Sequence, residues 1–145
     1  MIYLGADHRG FYLKEAIKDY LTTRGIKWED LGNQEYQEDD DYPLFARKVA
    51  QKVAQNPLEE KGILICGSGI GMSIAANRWK KVRAGLCLSG YMAEKGRKED
   101  DINILVLAAD ITDEGTALRI VQRFLNTKFE RRQRYQRRIQ MLDEK

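Results

Sequence analysis

The sequence predicts a doubly wound α/β domain, a parallel sheet covered by helices on both faces. Three observations carry this expectation. Short apolar runs alternate with segments of helical periodicity, as in strands joined by crossover helices. The runs number five when one weaker candidate is included. The 145 residues, 43% of them hydrophobic, suit one core.

The elements follow in order. The run "MIYLG" (1–5) reads as a buried strand. In 10–24, Phe11, Leu13, Ile17, Tyr20 and Leu21 recur at near-helical spacing, and Gly25 supplies a stop. "IKWEDLG" (26–32) is the weaker strand, with Ile26 and Trp28 alternating with polar residues. "EYQEDDDYP" (35–43) reads as an acidic loop. Pro43 then opens a helix over 43–55, where Phe45, Val49 and Val53 form an apolar stripe. "GILIC" (62–66), "RAGLC" (83–87) and "NILVLAA" (103–109) are the remaining strands, with helices over 70–79, 90–97 and 112–126. The tail "KFERRQRYQRR" (128–138) holds six basic residues in eleven and predicts a C-terminal basic helix. The whole, 1–145, fits one Rossmann-like or flavodoxin-like domain with a five-stranded parallel sheet. Such sheets bind ligands beyond the carboxyl ends of their strands. Those ends carry Asp7 and His8, then Cys66 to Gly71, then the residues after Cys87 and Leu107.

Composition removes several classes. A net charge of +3 does not make the whole surface a nucleic-acid magnet. The tail carries local charge, but no aromatic interleaving beyond Tyr135 suggests base stacking. No apolar stretch approaches the roughly 20 residues of a membrane span, and the start "MIYLGADH" lacks the pattern of a signal peptide. Cys66 and Cys87 both lie in apolar segments and make no CxxC pair. A reducing, cytoplasmic compartment is the expectation.

"CGSGIG" (66–71) stands at a strand-to-helix turn, where backbone amides can hold an anion. No GK[ST] follows, so it is not a Walker A loop. Met72 breaks the dinucleotide pattern G-x-G-x-x-G. The serine-hydrolase elbow G-x-S-x-G is absent. One histidine and two cysteines give little to a metal, so none is expected. Two readings stay open: plain turn chemistry, or a small anionic ligand with Cys66 and Ser68 aimed at it.

Other segments narrow the choice. "GADHRGFYLKEAI" opens the chain, "DYP" stands at 41–43, "ILICGSGIGMSIAAN" spans 63–77, "VRAGLC" and "NILVLAADI" follow, and "RYQRR" closes an arginine-rich end. In order and spacing this resembles the ribose-5-phosphate isomerase B family, which includes the galactose-6-phosphate isomerase subunits. The resemblance covers nearly the whole chain. It implies an aldose–ketose isomerase of a sugar phosphate, ribose 5-phosphate to ribulose 5-phosphate first, without metal or cofactor. It implies a homodimer or tetramer with active sites shared between subunits, and a tail (about 128–145) packed on the partner. The chemistry is proton transfer between adjacent carbons through an enediolate, which needs a base at carbon and donors at the developing oxyanion.

By this resemblance Cys66 is the carbon base, since the alternative glutamate position holds Met72. A helix N-terminus with converging amides would lower its thiol pKa. Ser68 and the amides of Gly67, Gly69 and Gly71 form the enediolate cradle. Asp7 would hold sugar hydroxyls and His8 the phosphate end. Tyr42 is a substrate-side residue, or simply packs at a helix start. Cys87 reads as a buried, inert thiol. Arg134 and Arg138, four apart and on one helical face, would bind the phosphate, with Arg137 as the substitute if the register slips.

The stretch "RKEDDIN" (97–103) departs from the family pattern. Glu99 stands where a ring-opening histidine is usual, and Asp100 where an asparagine contacts substrate oxygens. Asp110 replaces an arginine shortly after the fifth strand. Three carboxylates near a dianion cost affinity unless they point away or meet the tail arginines. Glu99 could relay a proton if its pKa were raised. These departures leave two alternatives: a shifted sugar-phosphate substrate, or a binding protein that has lost the reaction.

Overall fold

The computed structural model describes residues 1–144. Its elements run β1 (Ile2–Ala6), α1 (Phe11–Thr23), β2 (Trp28–Asp30), α2 (Tyr42–Gln55), β3 (Lys61–Cys66), α3 (Ile70–Ala76), β4 (Ala84–Leu86), α4 (Gly90–Asp100), β5 (Ile104–Ala108), α5 (Glu114–Asn126) and α6 (Gln133–Asp143). All five strands are parallel, in the order β2-β1-β3-β5-β4. The expected doubly wound α/β fold is what forms. The first three strands follow the flavodoxin-like order 2-1-3, while the last two exchange places. Burial accounts for the exchange. The run Ile104–Ala108 is buried throughout and sits inside the sheet, while the three half-buried residues of β4 form an edge.

Two apolar layers cover the sheet. Ile17 and Leu21 of α1, Ala93 of α4, and Ala117, Ile120, Val121 and Phe124 of α5 pack on one face. Phe45, Val49 and Val53 of α2, with Met72 and Ala76 of α3, pack on the other. The stripe anticipated in 43–55 is therefore the buried side of α2. Helix α2 begins at Tyr42, one residue ahead of Pro43, which costs nothing because the first helical amides have no partner in the helix. Helix α4 runs three residues past its expected end and stops at Asp101, whose φ of 46° is left-handed.

Long-range charge ties close the frame. Lys14 is fully buried and donates to Asp30 Oδ2 at 2.7 Å and to the Asn33 carbonyl at 2.6 Å. Asp101 takes Arg97 at 2.6 Å and Arg83 at 3.1 Å, and Arg83 also reaches Asp143 of α6 at 3.2 Å. Tyr135 is the buried residue of α6. No helix is long and apolar enough to cross a membrane.

Candidate active site

Two adjacent strands leave the sheet into helices on opposite faces, and a crevice opens between their carboxyl ends. These strands are β1, ending before Asp7, and β3, ending at Cys66. The turn after β3 is shaped by glycine. Gly69 has φ +75°, and a Cβ there would also strike Leu86. A Cβ at Gly71 would strike the Tyr42 ring, so the glycine lets that ring close over the turn. The result is a cleft of about 360 Å³ lined by Asp7, Arg9, Tyr42, Cys66, Gly67, Ser68, Ile70, Gly71 and Ile74. The sequence placed six of these nine at the site.

Within it the Gly69 N–H donates to Cys66 Sγ at 3.1 Å, and the Ile70 N–H to Ser68 Oγ at 3.3 Å. The cradle thus wraps the thiol itself, while Ser68 is exposed at the opening. The expected lowering of the thiol pKa is overturned. Burial pushes Cys66 above its ordinary value, and the amides of Met72 and Gly69 pull it down without prevailing. Cys87 is buried just past the end of β4 and pushed up by burial to about 11, as suits an inert thiol. The Asp7 carboxyl is raised by burial, partly offset by the Gly10 amide, with nearby Asp40 adding to the rise. Its Oδ1 accepts the amides of Arg9 and Gly10 at 3.0 and 3.1 Å, which fixes its direction.

His8 stands beside the cleft and meets a partner the sequence reading missed. Asp40 Oδ1 accepts the His8 backbone N–H at 2.9 Å and pairs with ring Nδ1 at 2.8 Å. Its other oxygen accepts Asn33 Nδ2 at 2.7 Å. Asp40 was legible only as one carboxylate of an acidic loop. Among the described residues, Asp7, His8 and Asp40 are the group whose donor atoms, within 4.8 Å of one another, could hold a cation. The hydrogen bonds just named already engage those atoms.

The remaining expected site residues lie at the other end. Helix α4 starts beyond the carboxyl end of β4 and runs back, so Glu99 and Asp100 come just ahead of β5. They sit at the amino ends of the strands, opposite Cys66. The tail is there too: the Glu130 N–H donates to the Lys98 carbonyl at 3.0 Å. Arg134 and Arg138 are exposed on α6. Within one chain, therefore, Glu99, Asp100, Arg134 and Arg138 do not meet the cradle. The three unusual carboxylates each have a countercharge. Glu99 accepts from Lys95 at 2.9 Å, Asp100 lies within the field of Arg138, and Asp110 pairs with Arg9. The Lys95 hydrogen bond holds Glu99 below the usual carboxylate range, with Arg138 adding to the effect. The raised pKa that a proton-donating Glu99 requires is absent. Asp100 is raised, by burial first and then by the charge of Glu99.

The sequence profile of the ribose/galactose isomerase family matches residues 2–142. The chain belongs to that family. It is 38% identical over 141 residues to the ribose-5-phosphate isomerase B of Escherichia coli, covering 97% of this chain and 93% of that one. Among solved structures, a ribose 5-phosphate isomerase from Thermotoga maritima superposes with a TM-score of 0.93 at 43% identity, covering 99% of this chain and 97% of its own. Ribose-5-phosphate isomerase B from Mycoplasma genitalium, solved with bound ribulose 5-phosphate, superposes with a TM-score of 0.94 at 38% identity, covering 99% and 97%.

Proposed function

We propose that this protein interconverts ribose 5-phosphate and ribulose 5-phosphate by proton transfer through an enediolate. The observation that carries the reading is the cradled thiol. Cys66 lies at the floor of a cleft beyond the strand ends, with a backbone amide on its sulfur and Asp7, Tyr42 and Ser68 around it. The close match to a structure holding ribulose 5-phosphate supports the choice of substrate.

The Cys66 thiolate takes the proton from C2 of the open-chain aldose. Electrons move into the C1 carbonyl, and the new oxyanion is met by the turn amides and the Ser68 hydroxyl. The thiol then returns its proton to C1, and the O2 proton passes to the O1 oxyanion as the C2 carbonyl forms, giving the ketose. Hydrogen moves as a proton throughout, so the step as written uses no redox cofactor. Asp7 accepts from sugar hydroxyls. His8, its Nδ1 held by Asp40, presents Nε2 toward the phosphate end.

The second half of the site comes from a second copy of the chain, in a homodimer or larger assembly. Its Glu99, as a carboxylate, accepts the anomeric proton on ring opening. Its Asp100 contacts substrate oxygens, and its Arg134 and Arg138 bind the phosphate. The placement of these residues opposite the cradle supports sharing, because no single chain closes a site around both sets. Each chain is a single domain, 1–145, and the protein works in the cytoplasm.

The test is incubation with ribose 5-phosphate in deuterated water, followed by NMR. Deuterium at C2 and ketose formation, both lost in Cys66→Ala, are the expected result. Absence of exchange with the wild-type protein overturns the reading.

A further inference from the structure

One cation stands in the cradle cleft, and the mechanism above leaves it without a part. Among the described residues lining that cleft, Arg9 is the only basic side chain. Its guanidinium lies against Gly67, where a Cβ would collide with Cζ, Nε and Nη1. Gly67 therefore makes room for this group. The third nitrogen, Nη2, is taken by Asp110.

Both ends of this ion pair are anchored to the cradle. The Arg9 backbone N–H donates to Asp7 Oδ1 at 3.0 Å. The Asp110 backbone N–H donates to the Gly67 carbonyl at 3.0 Å. The pair runs from Arg9 at the rim of the cleft to Asp110, that is from the end of β1 to the end of β5, across the end of β3. The two side chains are 52% and 40% exposed, and such a pair contributes little to stability. What it fixes is the place of a permanent positive charge. A guanidinium carries five N–H donors and suits phosphate and other oxyanions, and Asp110 occupies only the Nη2 side.

We propose that Arg9 is a substrate-contacting, specificity-determining residue whose free N–H groups bind an anionic oxygen of the sugar phosphate, with Asp110 as its positioning residue. This rests on the isomerase reading. It makes the cradle select for a negatively charged sugar without drawing on the partner's arginines.

The test compares wild type with Arg9→Gln, Arg9→Lys and Asp110→Asn. Steady-state isomerisation, calorimetric binding of ribulose 5-phosphate and thermal unfolding are measured for each. Arg9→Gln should raise KM and the dissociation constant about tenfold, the scale of one charge-assisted hydrogen bond. Its kcat should stay within about threefold, because the lost contact acts on binding more than on the proton transfer. Unfolding temperature should not move. Arg9→Lys, which keeps charge but loses the planar fork, should fall between. Asp110→Asn should raise KM with kcat retained, and Asp110→Glu should restore it. Active wild type with unchanged KM and affinity in Arg9→Gln and Arg9→Lys overturns the Arg9 assignment alone. A wild type that neither binds nor isomerises pentose phosphates overturns the parent reading and this one with it.

Discussion

At the carboxyl ends of the strands the candidate site is made mainly of backbone and short side chains, held close by glycine. At the amino ends it is made of charged side chains, Glu99 and Asp100 on α4 and the exposed Arg134 and Arg138 on α6. The first set is fixed by contacts within the chain: Gly69 on the sulfur at 3.1 Å, Asp7 on two amides, Asp40 on His8. The second set is held in place by ion pairs beneath it, Arg97 and Arg83 on Asp101, while Arg134 and Arg138 themselves project outward. Under the proposed function, the difference separates two tasks. Moving a proton requires atoms fixed to a fraction of an ångström. Capturing a dianion requires charge that can reach across an interface.

The largest expected effect tests the first end. Cys66→Ala should lower turnover about a thousandfold, within the range of a lost general base, with the unfolding temperature retained. A residual rate near wild type would move the base to another group. Mixing Cys66→Ala with an Arg134→Ala/Arg138→Ala protein then probes both ends at once. Random dimers that share sites should recover about a quarter of wild-type activity. No recovery after subunit exchange would place both half-sites in one chain and erase the contrast.

Next comes the frame under the second end. Asp101→Ala leaves two buried guanidinium groups, Arg83 and Arg97, short of a partner. It should cost about 3 kcal/mol in chemical denaturation. A loss below about 0.5 kcal/mol would show that the ion pairs do not hold α6 and α4 together. Glu99→Gln should slow turnover of ring-closed ribose 5-phosphate by at least tenfold, and unchanged turnover removes Glu99 from ring opening.

The smallest effects concern the thiols. With burial raising Cys66 above its ordinary value, alkylation by iodoacetamide should be slow at pH 7 and accelerate above pH 9.0. An alkaline rise in kcat/KM should follow it. A midpoint near 7 would mean that the amides outweigh burial after all. For Cys87 the folded chain holds its proton up to about 11 against 9.0 unfolded. Stability from this group is complete below pH 9.0 and is lost as pH rises toward 11. Cys87→Ala should flatten that decline in urea denaturation measured across the window.

Sequence patterns that are local proved readable. The stripe Phe45, Val49, Val53, the run Ile104–Ala108 and the glycines of 67–71 each depend on neighbours a few residues away, and each formed as expected. Less readable were pairings across the chain. Nothing in "EYQEDDDYP" distinguishes Asp40 from the acids beside it, and nothing in "DHRG" marks Arg9 as the partner of Asp110. The direction of the Cys66 shift also escaped, because the turn amides are local but the desolvation comes from the packed layers of α2, α3 and β5.

By itself, then, the sequence determined the order of strands and helices and the glycine turn with its thiol, because periodicity and turn chemistry are written within a few residues; the family came from the resemblance of its motifs, in order and spacing, to a known one. Only the tertiary structure decided which end of the sheet each charged group occupies, which carboxylate meets His8 or Arg9, and whether the thiol gains or loses acidity. Those outcomes depend on the distance and burial that appear when remote segments close on one another.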